Sequence, residues 1–163
     1  MSANIKKPSI LFVCYANICR STTAEAVFRH KALNAGLDCK VDSAGTHCVH
    51  PGKPADKRSQ KVARDKGYSF AGIQSRKVVM EDLENFDYIL PMDSSNLDNL
   101  IALGNEETAK KTQLLMSYAN ENIRSRVVDV PDPYRGGMRG FEIVLELIEY
   151  ASEGLINHIN QTR

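Results

Sequence analysis

Short apolar runs alternate with amphipathic segments along the whole chain. The runs are rich in β-branched residues and predict buried strands at residues 9–14, 39–43, 87–90 and 112–116. Helical spacing predicts helices at 22–35, 55–66 and 94–103, each followed by a glycine, and a long final helix from about residue 141. This alternation of strands and helices predicts an α/β fold built on a parallel sheet.

The final helix has the clearest pattern, because one of its faces carries an apolar stripe that we expect to lie in the core. The stripe is formed by Phe141, Val144, Leu145, Ile148, Leu155, Ile156 and Ile159. Before this helix, residues 125–139 contain Pro131, Pro133, Gly136 and Gly137, which oppose helix formation and predict a surface loop. Loops of this kind often carry functional groups.

Composition and charge narrow the possible functions. With 163 residues, 42% of them hydrophobic, the chain has the size of one domain, which we expect to span residues 1–163. The net charge of +1 gives no overall field for binding nucleic acid or a membrane, so an anion must be bound locally. The first residues include only about five consecutive apolar positions, too few for a secretory or membrane-spanning segment. We expect a cytoplasmic, monomeric protein whose four cysteines are catalytic, redox-active or metal-binding.

The segment VCYANICRST places Cys14 at the end of the first strand and predicts a tight loop before the next helix. That helix should begin near Ser21 or Thr22, with a capping box from Thr22 to Glu25. The N–H groups of such a loop can converge on one oxyanion, and the positive end of the helix adds to the attraction. The predicted phosphate-binding loop consists of Tyr15, Ala16, Asn17, Ile18, Cys19, Arg20 and Ser21.

Five residues separate Cys14 from Arg20, so closure of the loop brings the guanidinium back over the sulfur. A guanidinium can bind two phosphate oxygens, and the same positive field favours a nucleophilic thiolate. Attack on a phosphate monoester also needs an acid for the departing oxygen, and Asp132 in the predicted loop is the candidate. Taken alone, Cys14 is more simply a core cysteine and Asp132 an Asx-Pro turn, whereas the combination favours catalysis.

Together, VCYANICRST and DPY resemble the signature of the low-molecular-weight protein tyrosine phosphatases, which reads V-C-x-G-N-x-C-R-S with D-P-Y near the C-terminus. Further segments resemble the same family in order and spacing, so the resemblance covers nearly the whole chain. These segments are AEAVF at 24–28, DSAGT at 42–46, SRKV with Arg76, FDYILPMDSSNL at 86–97 and GFEIV at 140–144.

The resemblance implies a four-stranded parallel sheet of order 2-1-3-4, with helices on both faces and the site beyond the carboxyl ends of the strands. It implies that Cys14 is the nucleophile, that Arg20 binds phosphate, and that Asp132 is first the general acid and then the base. The implied substrate is a phosphotyrosine protein, with inorganic phosphate or a similar oxyanion as product or inhibitor. No metal or other cofactor is implied.

The resemblance also implies roles around the nucleophile. Asn17, Ser21 and Ser43 match the residues that hold the phosphate loop in shape. Val49 and Tyr134 match the walls of the substrate cleft. Cys19 matches the partner that can form a reversible disulfide with the nucleophile.

Three positions depart from the family pattern. Ala16 replaces a glycine, which would cause strain only if that position requires a positive φ. Val49 replaces an aromatic residue beside His50, so one side of the aryl slot should be aliphatic. Ile73 replaces a histidine that supports the loop, so we expect the support to come from elsewhere.

Three other functions fit parts of the sequence less well. An arsenate reductase on the same fold would need further cysteines at about residues 85–100, and the sequence has none there. A phospho-ligand binding module would not need both Cys14 and Asp132. A zinc site could be assembled from Cys39, His47, Cys48 and His50, but the paired spacing of zinc ligands is missing.

Overall fold

Within residues 6–163, a parallel sheet of three strands lies at the centre of the fold, with the first strand of the chain in the middle and the second and third on either side. The structure is a computed structural model that describes residues 6–163. Strand β1 (Ser9–Cys14) pairs on one side with β2 (Lys40–Gly45) and on the other with β3 (Tyr88–Pro91). Within residues 6–163, no helix is both long and apolar enough to cross a membrane.

In the part of the chain that the structure describes, seven helices pack around the sheet. In chain order, α1 to α7 span Arg20–Asn34, Lys57–Arg64, Met80–Asn85, Ser94–Leu103, Glu106–Ala109, Glu121–Arg124 and Gly137–Thr162. A 3-10 turn at Leu115–Tyr118 precedes α6. The α/β class with a parallel sheet and helices on both faces is therefore confirmed.

The predicted fourth strand at 112–116 is wrong. Thr112 makes a single parallel bridge to Ile89 beside β3, and the chain then turns away from the sheet. The backbone N–H and the side chain of Ser117 both donate to the carbonyl oxygen of Leu114, which closes the 3-10 turn. Leu115 therefore enters the core from a turn, so an apolar run alone could not identify its conformation.

Several helix boundaries also differ from the prediction. The first helix begins at Arg20, and the predicted capping box is absent because Thr22 donates back to the carbonyl oxygen of Cys19 while Glu25 bonds to Ser43. The last helix begins at Gly137, so the predicted surface loop ends before residue 139. Helix α4 has the predicted bounds.

The sheet separates two hydrophobic clusters, because successive β1 residues point to opposite faces. Ile10 and Phe12 belong to the larger cluster, which includes residues of α1, α2 and α7. Leu11 and Val13 belong to the smaller cluster, which includes residues of α3 and α4. All four side chains are fully buried, which explains why β1 reads as a continuous apolar run.

Candidate active site

A cleft of about 510 Å³ opens beyond the carboxyl end of β1. It brings together most of the predicted site residues, although they come from distant parts of the chain. The lining residues are Cys14, Tyr15, Ala16, Ile18, Cys19, Arg20, Val49, His50, Asp132, Tyr134 and Arg135. Of these, His50 and Arg135 were not predicted as site residues from the sequence.

Asn17 shapes the loop that forms the floor of the cleft. Its φ is 58°, and it is the one non-glycine residue among residues 6–163 with a positive φ. Its side-chain oxygen accepts a hydrogen bond from the Arg76 backbone N–H at 3.0 Å. Its side-chain nitrogen donates to the hydroxyls of Ser21 at 2.7 Å and Ser43 at 3.0 Å. The left-handed position is therefore residue 17, and Ala16 carries no backbone strain of this kind.

The direction of the hydrogen bond between Ser21 and Cys14 follows from this arrangement. The Ser21 oxygen and the Cys14 sulfur are 2.9 Å apart, and both side chains are buried. Because the amide nitrogen of Asn17 can only donate, the Ser21 oxygen accepts from it. The Ser21 hydroxyl hydrogen is then free to point at the sulfur, where it would stabilise a thiolate.

Glu25 extends this network on the side away from Cys14. The Ser43 hydroxyl accepts from Asn17 and donates to a Glu25 carboxylate oxygen at 2.6 Å. Burial raises the pKa of Glu25, although the bond from Ser43 and an ion pair with Arg29 oppose the rise. Glu25 therefore supports the loop through Ser43, whereas Ile73 is a buried apolar residue. Sequence reasoning assigned Glu25 only to a helix cap.

The end of β2 lies directly against the phosphate loop. A Cβ at Gly45 would lie 2.7 Å from the carbonyl oxygen of Tyr15. Backbone N–H groups of Thr46 and His47 donate to the carbonyl oxygens of Cys14 and Tyr15, both at 2.9 Å. Only glycine allows the strand and the loop to approach this closely.

Arg20 is buried at the start of α1 and is fixed by the chain beyond β3. Its Nη1 donates to a carboxylate oxygen of Asp93 at 2.6 Å and to the carbonyl oxygen of Val130 at 3.1 Å. Asp93 also caps α4 by accepting from the Asn96 backbone N–H. Asp93 was not predicted as a site residue, although its place just after β3 fits the rule that parallel strands carry site residues at their carboxyl ends.

Cys19 lines the same cleft as Cys14 but in a different environment. Burial, together with the negative charge of Asp56, raises the pKa of the Cys19 thiol to about 12, while a hydrogen bond involving Ser59 opposes the rise. Cys19 is therefore a neutral thiol at physiological pH. The structure records it as a free cysteine.

The walls of the cleft are partly aromatic. The exposed fractions of Val49 and Tyr134 are 57% and 56%, so both present side-chain surface to a ligand. Tyr15 also lines the cleft, and its ring stacks on His47 with centroids 4.5 Å apart. Tyr15 thus adds a second aromatic side chain to the cleft that Val49 and Tyr134 also line.

Asp132 lies on an exposed loop at the edge of the cleft. One of its carboxylate oxygens accepts a hydrogen bond from the Tyr134 backbone N–H at 3.1 Å, which is the geometry of an Asx turn. The turn interpretation and the candidate acid role are therefore compatible, because the second carboxylate oxygen is not needed for this turn.

Comparison with known proteins identifies the family. The profile described as "Low molecular weight phosphotyrosine protein phosphatase" matches residues 9–163. The chain is 40% identical over 157 residues to the low molecular weight protein-tyrosine-phosphatase YfkJ of Bacillus subtilis, covering 95% of this chain and 97% of that protein. It is 39% identical over 142 residues to the human low molecular weight phosphotyrosine protein phosphatase, covering 85% and 87% of the two chains.

Solved structures agree with this assignment. The crystal structure of YfkJ superposes with a TM-score of 0.92 at 38% identity and covers 99% of both chains. A protein tyrosine phosphatase from Entamoeba histolytica, crystallised with Hepes in the active site, gives a TM-score of 0.90 at 39% identity. The match covers 96% of this chain and 99% of that chain. The chain belongs to the low molecular weight phosphotyrosine protein phosphatase family, and the predicted enzyme class, protein tyrosine phosphatase, is confirmed.

Proposed function

We propose that this chain hydrolyses protein phosphotyrosine and small aryl phosphates through a cysteinyl-phosphate intermediate on Cys14. The observation that carries the proposal is the single cleft in which Cys14, Arg20 and Asp132 meet beside the aromatic surface of Tyr134. The names of the relatives support the substrate class, since the proteins from Bacillus subtilis and human are both called tyrosine or phosphotyrosine phosphatases.

In the first step, the Cys14 sulfur attacks phosphorus and forms an S–P bond while the bond from phosphorus to the aryl oxygen breaks. The electron pair stays on the departing oxygen, which takes a proton from the Asp132 carboxyl group. The Ser21 hydroxyl, 2.9 Å from the sulfur, stabilises the thiolate before the attack.

In the second step, the Asp132 carboxylate takes a proton from a water molecule while the oxygen of that water attacks phosphorus. The S–P bond breaks and its electron pair returns to the Cys14 sulfur. Inorganic phosphate is released, and it or a similar oxyanion should also inhibit by occupying the loop.

Arg20 binds the phosphoryl oxygens in this proposal. Its hydrogen bonds to Asp93 and Val130 both use Nη1. The Nε and Nη2 groups can therefore bind two phosphate oxygens side by side. Asp93 and Val130 hold the guanidinium plane in place, so its orientation does not depend on the ligand.

Steady-state kinetics with nitrophenyl phosphate and phenyl phosphate test the proposal. Cys14→Ser should abolish turnover of both, whereas the matched variant Cys39→Ser, outside the cleft, should retain it. Asp132→Asn should slow phenyl phosphate, whose departing oxygen is more basic, by roughly 10²–10⁴-fold and nitrophenyl phosphate far less. Wild-type turnover by Cys14→Ser would contradict the nucleophile assignment, and equal losses for both esters would remove Asp132 from the acid role.

The cytoplasmic location and the monomeric state expected from the sequence stay predictions. Fractionation of cells would test the first. Sedimentation of the purified protein would test the second.

A further inference from the structure

Arg58 lies between helix α7 and the loop that carries Asp132 and Tyr134. It is the second residue of α2, and its side chain is 38% exposed. The guanidinium carbon lies 5.3 Å from the centroid of the Tyr134 ring and 4.5 Å from that of the buried Phe141 ring in α7. Nη1 also donates to the backbone carbonyl oxygen of Tyr134 at 3.2 Å.

Asp56 fixes the other side of the same guanidinium. Its carboxylate accepts from Nε of Arg58 at 3.2 Å and from Nη2 at 3.1 Å, as well as from the Arg58 backbone N–H. Burial alone would raise the pKa of Asp56, but the hydrogen bonds from Arg58 outweigh it and lower the pKa, so Asp56 stays ionised. The Asp56 backbone N–H donates to the carbonyl oxygen of Ile18 in the phosphate loop at 2.8 Å.

These contacts connect the phosphate loop to the loop that carries Asp132. The connection runs from Ile18 through Asp56 and Arg58 to Tyr134, and the Tyr134 backbone N–H donates to the Asp132 carboxylate. Asp132 itself is exposed, so its position relative to the sulfur depends on how its loop is held.

We propose that Arg58 is a positioning residue that holds the carboxyl group of Asp132 at the correct distance from the phosphate loop. This inference rests on the proposed function of Asp132 as general acid. A planar guanidinium suits the role because one group can stack on two rings, bind a carboxylate through two N–H groups and donate to a carbonyl oxygen. The flexible ammonium of lysine cannot make these contacts together.

The test compares leaving groups in Arg58→Gln, Arg58→Lys, Asp132→Asn and the double variant Arg58→Gln/Asp132→Asn. If Arg58 acts through Asp132, Arg58→Gln should lower kcat for phenyl phosphate by on the order of 10-fold and for nitrophenyl phosphate much less. Arg58→Lys should show the same pattern, because a positive charge alone does not replace the planar guanidinium and its several N–H groups. In the Asp132→Asn background, Arg58→Gln should have little further effect on kcat.

Lys57→Gln is the matched control, because it removes a positive charge from the exposed neighbouring position on the same helix. It should leave the ratio of the two kcat values unchanged. Circular dichroism confirms that each variant is folded before kinetics are measured.

Equal losses for both esters, a rise in KM alone, or a full additional loss in the double variant would overturn the inference, as would wild-type behaviour of Arg58→Lys. If Asp132→Asn itself shows no dependence on the leaving group, the acid assignment in the proposed function fails first, and the inference about Arg58 falls with it.

Discussion

Asn17 meets two requirements at once at its position in the loop. Asparagine tolerates the left-handed backbone that a φ of 58° requires, and its amide supplies the two donor bonds and one acceptor bond that join Ser21, Ser43 and Arg76. Glycine could adopt the same backbone conformation, but it would remove the hydrogen bonds that the Asn17 side chain makes to these three partners. The shape of the loop therefore depends strongly on the side chain of Asn17.

Cys19 provides a first prediction at the scale of single residues. Peroxide should oxidise the Cys14 sulfur to a sulfenic acid, and the Cys19 sulfur should then displace water from it to give a Cys14–Cys19 disulfide that a dithiol reduces. Because the pKa of Cys19 is raised to about 12, capture should become faster as the pH rises. The measurement is recovery of activity after peroxide and dithiol treatment in wild type and Cys19→Ala, with mass mapping of the linked peptide.

Two results would leave Cys19 a packing residue rather than a redox partner. One is equal recovery in both proteins, and the other is the absence of a linked peptide from oxidised wild type.

Glu25 provides a prediction about pH and stability. Its pKa is raised in the folded state, first by burial and also by the charge of Asp42, with Ser43 and Arg29 opposing. A carboxyl group with a raised folded pKa stabilises the protein fully below its unfolded pKa of about 4.3, and this contribution is lost as the pH rises through the folded value. In Glu25→Gln, the free energy of unfolding should therefore fall less between pH 4 and pH 7 than it does in wild type.

Urea unfolding of Glu25→Gln at a series of pH values measures this effect. The exposed Glu84 offers a matched control, since Glu84→Gln should keep the wild-type dependence of stability on pH. Parallel curves for wild type and Glu25→Gln would show that titration of Glu25 is not coupled to folding.

At the scale of elements, α7 should respond very differently to the same substitution at two of its glycines. A Cβ at Gly154 would overlap the carbonyl oxygen of Tyr118, whereas one at Gly140 would lie 3.6 Å from Pro133, an ordinary contact. Gly154→Ala should force α7 away from the 3-10 turn and destabilise the protein by several kcal/mol, as overpacking does. Gly140→Ala should be neutral or stabilise by up to about 1 kcal/mol, because alanine favours a helix.

Thermal or urea unfolding of the two variants gives the comparison directly. Similar stabilities for Gly154→Ala and Gly140→Ala would mean that α7 can shift at little cost.

The elements also show how far the sequence could predict the molecule. Strand β1 and helix α4 are encoded by residues close together in the sequence, so pattern and spacing were sufficient for them. Asp93, Glu25 and Arg58 each also bond to a residue far along the chain, and no local pattern indicates those distant partners. The prediction of a fourth strand failed for a related reason. Only a few backbone hydrogen bonds decide whether such a segment forms an edge strand or a turn.

At the scale of the whole molecule, we propose that the chain folds as one domain. The last helix, α7, packs on α1, α2 and the 3-10 turn, so elements from both ends of the described chain complete the larger core cluster. We expect a single cooperative transition in urea, with coincident curves from circular dichroism and tyrosine fluorescence, the latter being available because the chain has six tyrosines and no tryptophan. Separate transitions would indicate two folding units.

The unequal clusters on the two faces of the sheet have a consequence for exchange of backbone amide hydrogens with solvent. The cluster under α3 and α4 is the smaller one, so local opening should cost less free energy there than on the face of α1 and α7. Hydrogen exchange followed by mass spectrometry should show faster deuterium uptake in α3 and α4, and equal protection of both faces would contradict this. Because Asp93 caps α4 and binds Arg20, each opening of the weaker face would also loosen the anchor of the candidate phosphate-binding arginine.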